Sequence, residues 1–208
     1  MVQLRIKKES MMPKSHKVIY TIYLLVWLFL AINPKYSEDW LLENVLVVVL
    51  FPTILWLDKR YGFSLVSVIL LLIFSLFHAL GAHYTYAQMP HFDMVTEFFG
   101  FERNHFDRLV HFLYGLLLFR PLLEIVKTYT HTGGAALFFT FTLVVTFSTI
   151  YEILEWLAVI IFHPDLGIAF LGTQGDVWDA QQDTLMAIIG ALINMALYYP
   201  KRKEIVCC

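Results

Sequence analysis

Cysteine and charge are what this 208-residue chain has least of. Its two cysteines, Cys207 and Cys208, are neighbours at the C-terminal end, so they cannot staple distant segments together, and a disulfide framework or dithiol redox chemistry is excluded. Such a pair can be lipidated in a eukaryotic setting; an unmodified tail is the simpler reading. Only 15% of residues are charged, and stretches 18–34, 61–89 and 132–151 contain no Asp, Glu, Lys or Arg at all. A soluble domain cannot leave such runs unsolvated, but a bilayer core requires them. No basic face is present to meet nucleic acid, and no Gly-rich loop is present to cradle phosphates. The formal net charge of −2 averages two sides of a membrane and identifies no partner other than the lipid bilayer itself.

What is present is apolar length: 59% of the residues are hydrophobic. The pattern predicts an all-α, polytopic integral membrane protein, a six-transmembrane-helix bundle in one domain over 1–208. The expected spans are 18–32, 40–57, 65–84, 105–126, 137–162 and 180–199. The first has a basic front but ends Ala31-Ile32-Asn33-Pro34, without a small-x-small cleavage site, and reads as a retained anchor. Twelve basic residues, among them Lys14, Lys17, Lys59, Arg60, Arg120, Lys127 and Lys201, fall on one side of this arrangement, against Lys35, Arg103 and Arg108 on the other. By the positive-inside rule both termini are expected in the cytoplasm. Pro52 and Pro121 lie inside spans and are expected to kink them. The connection from Thr85 to Asn104 is expected to form a short interfacial helix or lid on the outer surface.

An ionisable side chain in hydrocarbon costs on the order of 3 kcal/mol at mid-helix, so each asks for a reason. Asp107 and His111 are four apart on the fourth span, with Gly115 continuing their face, and a hydrogen bond between them would fix the imidazole tautomer. A bland alternative has Asn104 capping the helix and Asp107 favouring its positive end. On the fifth span Ser148, Glu152 and Glu155 form a narrow polar stripe that no capping argument explains. The sixth is preceded by Gly172-Thr173-Gln174-Gly175-Asp176-Val177-Trp178-Asp179, and if this stretch is helical Asp176, Asp179 and Asp183 share a face. Asp179 reads as its N-cap, with Gln182 completing a capping box. Asp183 is followed on its own face by Ala187, Gly190 and Asn194, a small-and-polar seam that lets another helix approach closely. His78 and His83 are five apart, roughly 140° around a helix, so only His78 is an interior candidate.

By direction of travel His78, His111, Glu152, Glu155 and Asp183 all fall in the outer half of the bundle. Histidines and carboxylates converging from four helices suit a divalent metal ion or a proton relay. The metal candidates are therefore His111, Glu155, Asp183 and His78. The catalytic candidates are Glu152, Glu155 and His111 as an acid/base pair, with Asp183 as a second acid. Asp107, Arg108, Tyr151, Asp176 and Asp179 are the candidates for contact with a ligand.

Three blocks, Asp107-Arg108-x-x-His111-Phe112-x-Tyr114-Gly115, Tyr151-Glu152-x-x-Glu155-Trp156, and Gly172 to Asp183, resemble the YjdF-type bacterial inner-membrane proteins over nearly the whole chain. That resemblance implies a multi-pass protein of the bacterial inner (plasma) membrane and implies no activity. The order Asp-basic-x-x-His, then a glutamate, then Asp-x-x-x-Asn-x-x-Gly is more distantly similar to VanZ-type membrane proteins, associated with glycopeptide-antibiotic tolerance. Here Ala187 stands where that pattern has Asn.

The leading expectation is a metal-dependent enzyme or binder for an amphiphilic envelope molecule such as a lipid-linked species. A proton- or cation-coupled carrier is the competitor, although six spans without a repeat are few for alternating access. The third reading is a non-catalytic accessory protein whose polar seam only joins helices.

Overall fold

The computed structural model describes residues 11–162 and 174–205. Arg5, Lys7, Lys8, Gly172, Thr173, Cys207 and Cys208 lie outside the described residues. Among the described residues there are seven α-helices and no strand: α1 (Lys14–Leu30), α2 (Ser37–Tyr61), α3 (Leu65–Tyr84), α4 (Pro90–Phe99), α5 (Phe106–Val126), α6 (Gly133–Phe162) and α7 (Asp179–Tyr198). Short 3-10 turns precede α4 and follow α7.

Local chemistry sets the boundaries. Glu38 and Asp39 open α2 while Lys59 and Arg60 close it, complementing the helix dipole. Gly62, at φ +66°, ends α2 in the left-handed region, and its N–H bonds to the Asp58 carbonyl at 2.7 Å. Two residues later the Ser64 hydroxyl accepts from the Ser67 N–H and starts α3. Pro90 stands at the first turn of α4, where its missing N–H is harmless. Helices α2 and α5 run without interruption through Pro52 and Pro121.

Helices α2, α3, α5, α6 and α7 are long and apolar enough to cross a membrane. The sequence pattern predicts a sixth. Helix α1 has 17 residues, about 25 Å at 1.5 Å per residue, which is shorter than a ~30 Å hydrocarbon core. It ends two residues earlier than the sequence pattern indicates, because the backbone turns at Ala31 and Asn33 takes φ +50°.

Helix α5 is central. It packs on α3, α6 and most extensively α7, while α1 packs on α3 and α6 on α7. One apolar cluster joins α5, α6 and α7 through Phe119, Leu123, Leu137, Val144 and Ala191. A second joins α1 and α3 through Tyr20, Val68 and Leu71, with Phe63 between α2 and α3. Helix α2 is the least embraced, and its Leu41, Val45, Val48 and Val49 face outward, as a lipid-facing surface does.

The α5–α7 crossing is backbone on backbone. A Cβ at Gly115 would run into the Ala187 carbonyl, and one at Gly190 into the Phe112 carbonyl. Asn194 Nδ2 donates to the Leu116 carbonyl at 2.5 Å across the same seam. The small-residue face expected on the last span is therefore the main helix interface. Gly115→Ala should lower stability by about 1–3 kcal/mol through overpacking. Thermal unfolding in detergent checks this, with Gly134→Ala as the control, since nothing lies within 4 Å of a Cβ there.

Candidate functional site

At one end of the bundle the start of α5, the start of α7, the later part of α6 and α4 come together. Close packing along the α5–α7 seam brings Asp107 and His111, on successive turns of α5, against Asp183 on the second turn of α7. One donor atom from each of Asp107, His111 and Asp183 lies within 4.8 Å of the others. His111 Nε2 stands 3.6 Å from Asp107 Oδ1 and 3.2 Å from Glu152 Oε1, so α6 contributes a further carboxylate at the same nitrogen. The expected Asp107–His111 hydrogen bond is not made: at 3.6 Å the two groups lie beyond hydrogen-bond distance. The Glu152 contact is within ion-pair reach but outside hydrogen-bond angles, and Glu152 Oε1 has no hydrogen-bond partner.

These groups are enclosed. Asp183 is 1% exposed and His111 8%. Asp183 Oδ1 is buried and makes no hydrogen bond, and neither does the buried Ser148 Oγ one turn before Glu152. A buried polar atom without a partner forfeits its hydration, so each such atom asks for an explanation.

Next to this group lies a charged latch. Arg108 Nη2 bonds Asp176 Oδ2 at 2.6 Å and lies 3.6 Å from Asp179, while Arg103 pairs with Asp179 and lies 3.6 Å from Asp176. Gln174 bonds the Asn104 backbone twice, accepting from its N–H and donating to its carbonyl, each at 2.9 Å. Asn104 in turn bonds the Met89 carbonyl and Asp93, and accepts from the Phe106 N–H at the start of α5. The connection before α7 is thus tied to the α4–α5 connection. Gly175 at φ +90° permits the turn that brings Asp176 back onto Arg108.

Asp179 does not cap α7 as its sequence context indicates. Trp178 is the N-cap residue, Asp179 is the first helical residue, and its carboxylate faces the guanidinium of Arg103. Gln182 donates to Asp176 rather than closing a capping box. Asp176 precedes the helix, so it does not share a helical face with Asp179 and Asp183, yet the turn carries it to the same arginines.

Outside the spans, the N–H of Trp178 and then Arg108 and Arg103 hold the Asp176 carboxyl below its ordinary range. Burial, followed by the charges of Arg108 and Arg103, lowers His105 below the usual imidazole value; its Nδ1 lies 3.3 Å from Arg108 Nη1 and, neutral, accepts from it.

Glu155 and His78 are not in the three-residue group. Glu155 lies one turn beyond Glu152 on α6, beside the Tyr151 hydroxyl. His78 accepts or donates at Nδ1 with the Tyr86 hydroxyl at 2.6 Å, and His83 instead bonds the Leu30 carbonyl at the end of α1. Tyr151 stands between these sets, its ring edge-on to His111 with centroids 6.0 Å apart and its hydroxyl donating to Glu43 Oε2 at 3.0 Å. Glu43, bonded by Tyr151, and Arg103, in the latch, border the group without having been singled out by sequence. Glu43 carries the same signal as Glu152, an ionisable group inside an apolar run, whereas Arg103 sits in a loop where charge is unremarkable.

The helices and their buried polar end define a multi-pass α-helical membrane protein. The chain belongs to the family described as "Predicted membrane protein (DUF2238)", whose model matches residues 15–204. It is 31% identical over 173 residues to "Inner membrane protein YjdF" of Escherichia coli (strain K12), a match covering 82% of each chain. No solved structure matches it. It is accordingly a protein of the bacterial inner membrane.

Asp176→Asn should loosen the latch, raising amide hydrogen exchange across 174–178 while leaving the α5–α7 seam protected. Acid should do the same to the native protein. Because the folded value of Asp176 is depressed, its contribution is fully present above the ordinary carboxylate range and is lost as pH falls through that lowered value.

Proposed function

We propose that Asp107, His111 and Asp183 hold a divalent cation, and that with Glu152 they form the working site of a membrane-embedded enzyme or binder for an amphiphilic envelope molecule. In this reading the bundle has six spans, α1 included, with both termini cytoplasmic, and the site opens toward the periplasm at the level of the outer-leaflet head groups. The observation that carries it is the convergence of two carboxylates and one imidazole within 4.8 Å, together with an unpartnered oxygen on Asp183 that is otherwise enclosed.

The donor set is mixed nitrogen and oxygen, which suits a borderline ion such as zinc or manganese. A bound ion of this kind acidifies a coordinated water or polarises an acyl or phosphoryl oxygen. Glu152, 3.2 Å from His111, reaches the site from α6 and is placed to accept a proton from a nucleophile there. Arg103 and Arg108 are already engaged by Asp176 and Asp179, so their role is to shape and close the site edge. The exposed Met94, Phe98 and Phe99 of α4, with Val177 and Trp178 beside the latch, give the same end an apolar rim suited to acyl chains and head groups.

Metal content of the purified protein tests the cation clause. Wild type should carry about one equivalent of a divalent ion, and Asp183→Asn and His111→Gln should each lose most of it while remaining monodisperse. Wild type without divalent metal above buffer background would remove the clause. Mass spectrometry of organic extracts tests the ligand clause: an envelope amphiphile should be enriched in wild type and depleted in Asp183→Asn, and equal extracts would sink it. If these substitutions lower stability and change neither metal nor extract, the polar seam only joins helices.

A further inference from the structure

We infer that Glu43, acting through Tyr151, positions His111 for its ligand, which makes α2 a working component of the site and not only a lipid-facing anchor. This inference rests on the cation reading above and adds to it a residue from a fourth helix.

Glu43 lies on the least embraced helix of the bundle, yet it is 6% exposed. Its neighbours on α2 at this level, Asp39 and Asn44, are buried too. Among the described residues no Lys, Arg or His lies within ion-pair distance of Glu43, and its hydrogen bond is the one it accepts from Tyr151. A buried carboxylate that serves only to hold a helix in place is an expensive choice when an apolar side chain of the same size would do it. The bond it makes therefore calls for an account in terms of what Tyr151 does.

Tyr151 has one conformational freedom that matters here, the orientation of its ring. The hydroxyl donates to Glu43 at 3.0 Å with Glu155 also beside it, which sets the ring, and the ring packs T-shaped on His111 at a 64° interplanar angle. His111 is thus held on one side by an aromatic ring, while Nε2 is left directed at the carboxylates of Asp107 and Glu152. Groups that orient a ligating imidazole typically contribute 10- to 100-fold to metal affinity. They usually do so by a hydrogen bond to the second ring nitrogen; here the restraint is steric and quadrupolar, relayed from a glutamate. A small cleft lined by Asp39, Glu43, Gly81, Ala82, Thr85 and Tyr86 also borders this glutamate.

Cobalt(II) titration of the full-length protein in detergent, followed by its visible absorption, tests the relay. Wild type should bind with a d–d spectrum characteristic of its geometry. Tyr151→Phe and Glu43→Ala should each weaken binding on the order of 10-fold or more and shift the spectrum. Glu43→Gln keeps an oxygen for the tyrosine hydroxyl and should restore affinity to within a factor of about two and recover the wild-type spectrum. A helix-packing role would move thermal stability in all three variants and leave the spectrum of the bound ion unchanged. If wild type binds and Tyr151→Phe matches it in affinity and spectrum, the relay is wrong and the cation site stands. The relay is equally wrong if Glu43→Gln falls as far as Glu43→Ala. If wild type binds no cobalt, both readings fall together.

Discussion

The close approach of α5 and α7 is the constraint on which the rest depends. Glycines at 115 and 190 let carbonyls of one helix occupy the space where the other would carry side chains. In lipid there is no hydrophobic drive to bring helices together, so packing of this kind and the Asn194 bond across it must supply the association. The geometric consequence is felt one to two turns away. Two backbones held this close leave room for Asp107, His111 and Asp183 to meet, which bulkier helices would have kept apart.

The charged end divides into two populations with different physics. Asp176 and Asp179 have arginine partners, and that cluster is two anions against two cations. It is locally neutral, and it fastens a connection. Asp107, Asp183 and Glu152 have no such partners; among the described residues the basic group within ion-pair distance of them is His111, which serves Asp107 and Glu152 at once. A salt-bridged latch neutralises itself, whereas carboxylates without cationic partners are what the proposed cation would neutralise.

Much of this is legible from residue spacing. Each of the five long helices sits on an expected span, and the Ala187, Gly190 and Asn194 seam is the main helix interface because small residues at a three-to-four spacing allow little else in an apolar helix. Asp183 and His111 stand out as charges in hydrocarbon. The close group is less legible: Asp107 lies beside His111 and Asp183, while Glu155 and His78 lie outside those three, because depth along a helix can be read from sequence but rotation toward a neighbour cannot. The latch is hidden for a different reason. Asp179 has the sequence context of an N-cap, and tertiary pairing with Arg103, 76 residues away, overrides that local preference. Glu43 meets the same criterion as Glu152 but is camouflaged; near the start of a helix with acidic residues in its first turn, a further glutamate resembles dipole complementarity and not a site.

Helix α2 shows why burial must be judged side by side with environment. Its Leu41, Val45 and Val48 are exposed and its Asp39, Glu43 and Asn44 are buried, the reverse of a helix on a soluble protein. In water such a helix would turn over; in a bilayer the arrangement is stable, since lipid solvates the leucines and valines and only the protein interior can solvate the carboxylates. The orientation of α2 is therefore set by its polar residues, and the bonds from Trp27 to Asn44, from Thr85 to Asp39 and from Tyr151 to Glu43 come from three different parts of the fold. These three polar contacts fix the acidic end of α2 to α1, to the end of α3 and to α6, while at the other end the buried Asp58 bonds His16 and Tyr20 of α1. A helix anchored by polar residues at both ends carries its acidic end into the interior in a fixed orientation, which is the condition under which Glu43 can act on the site through Tyr151.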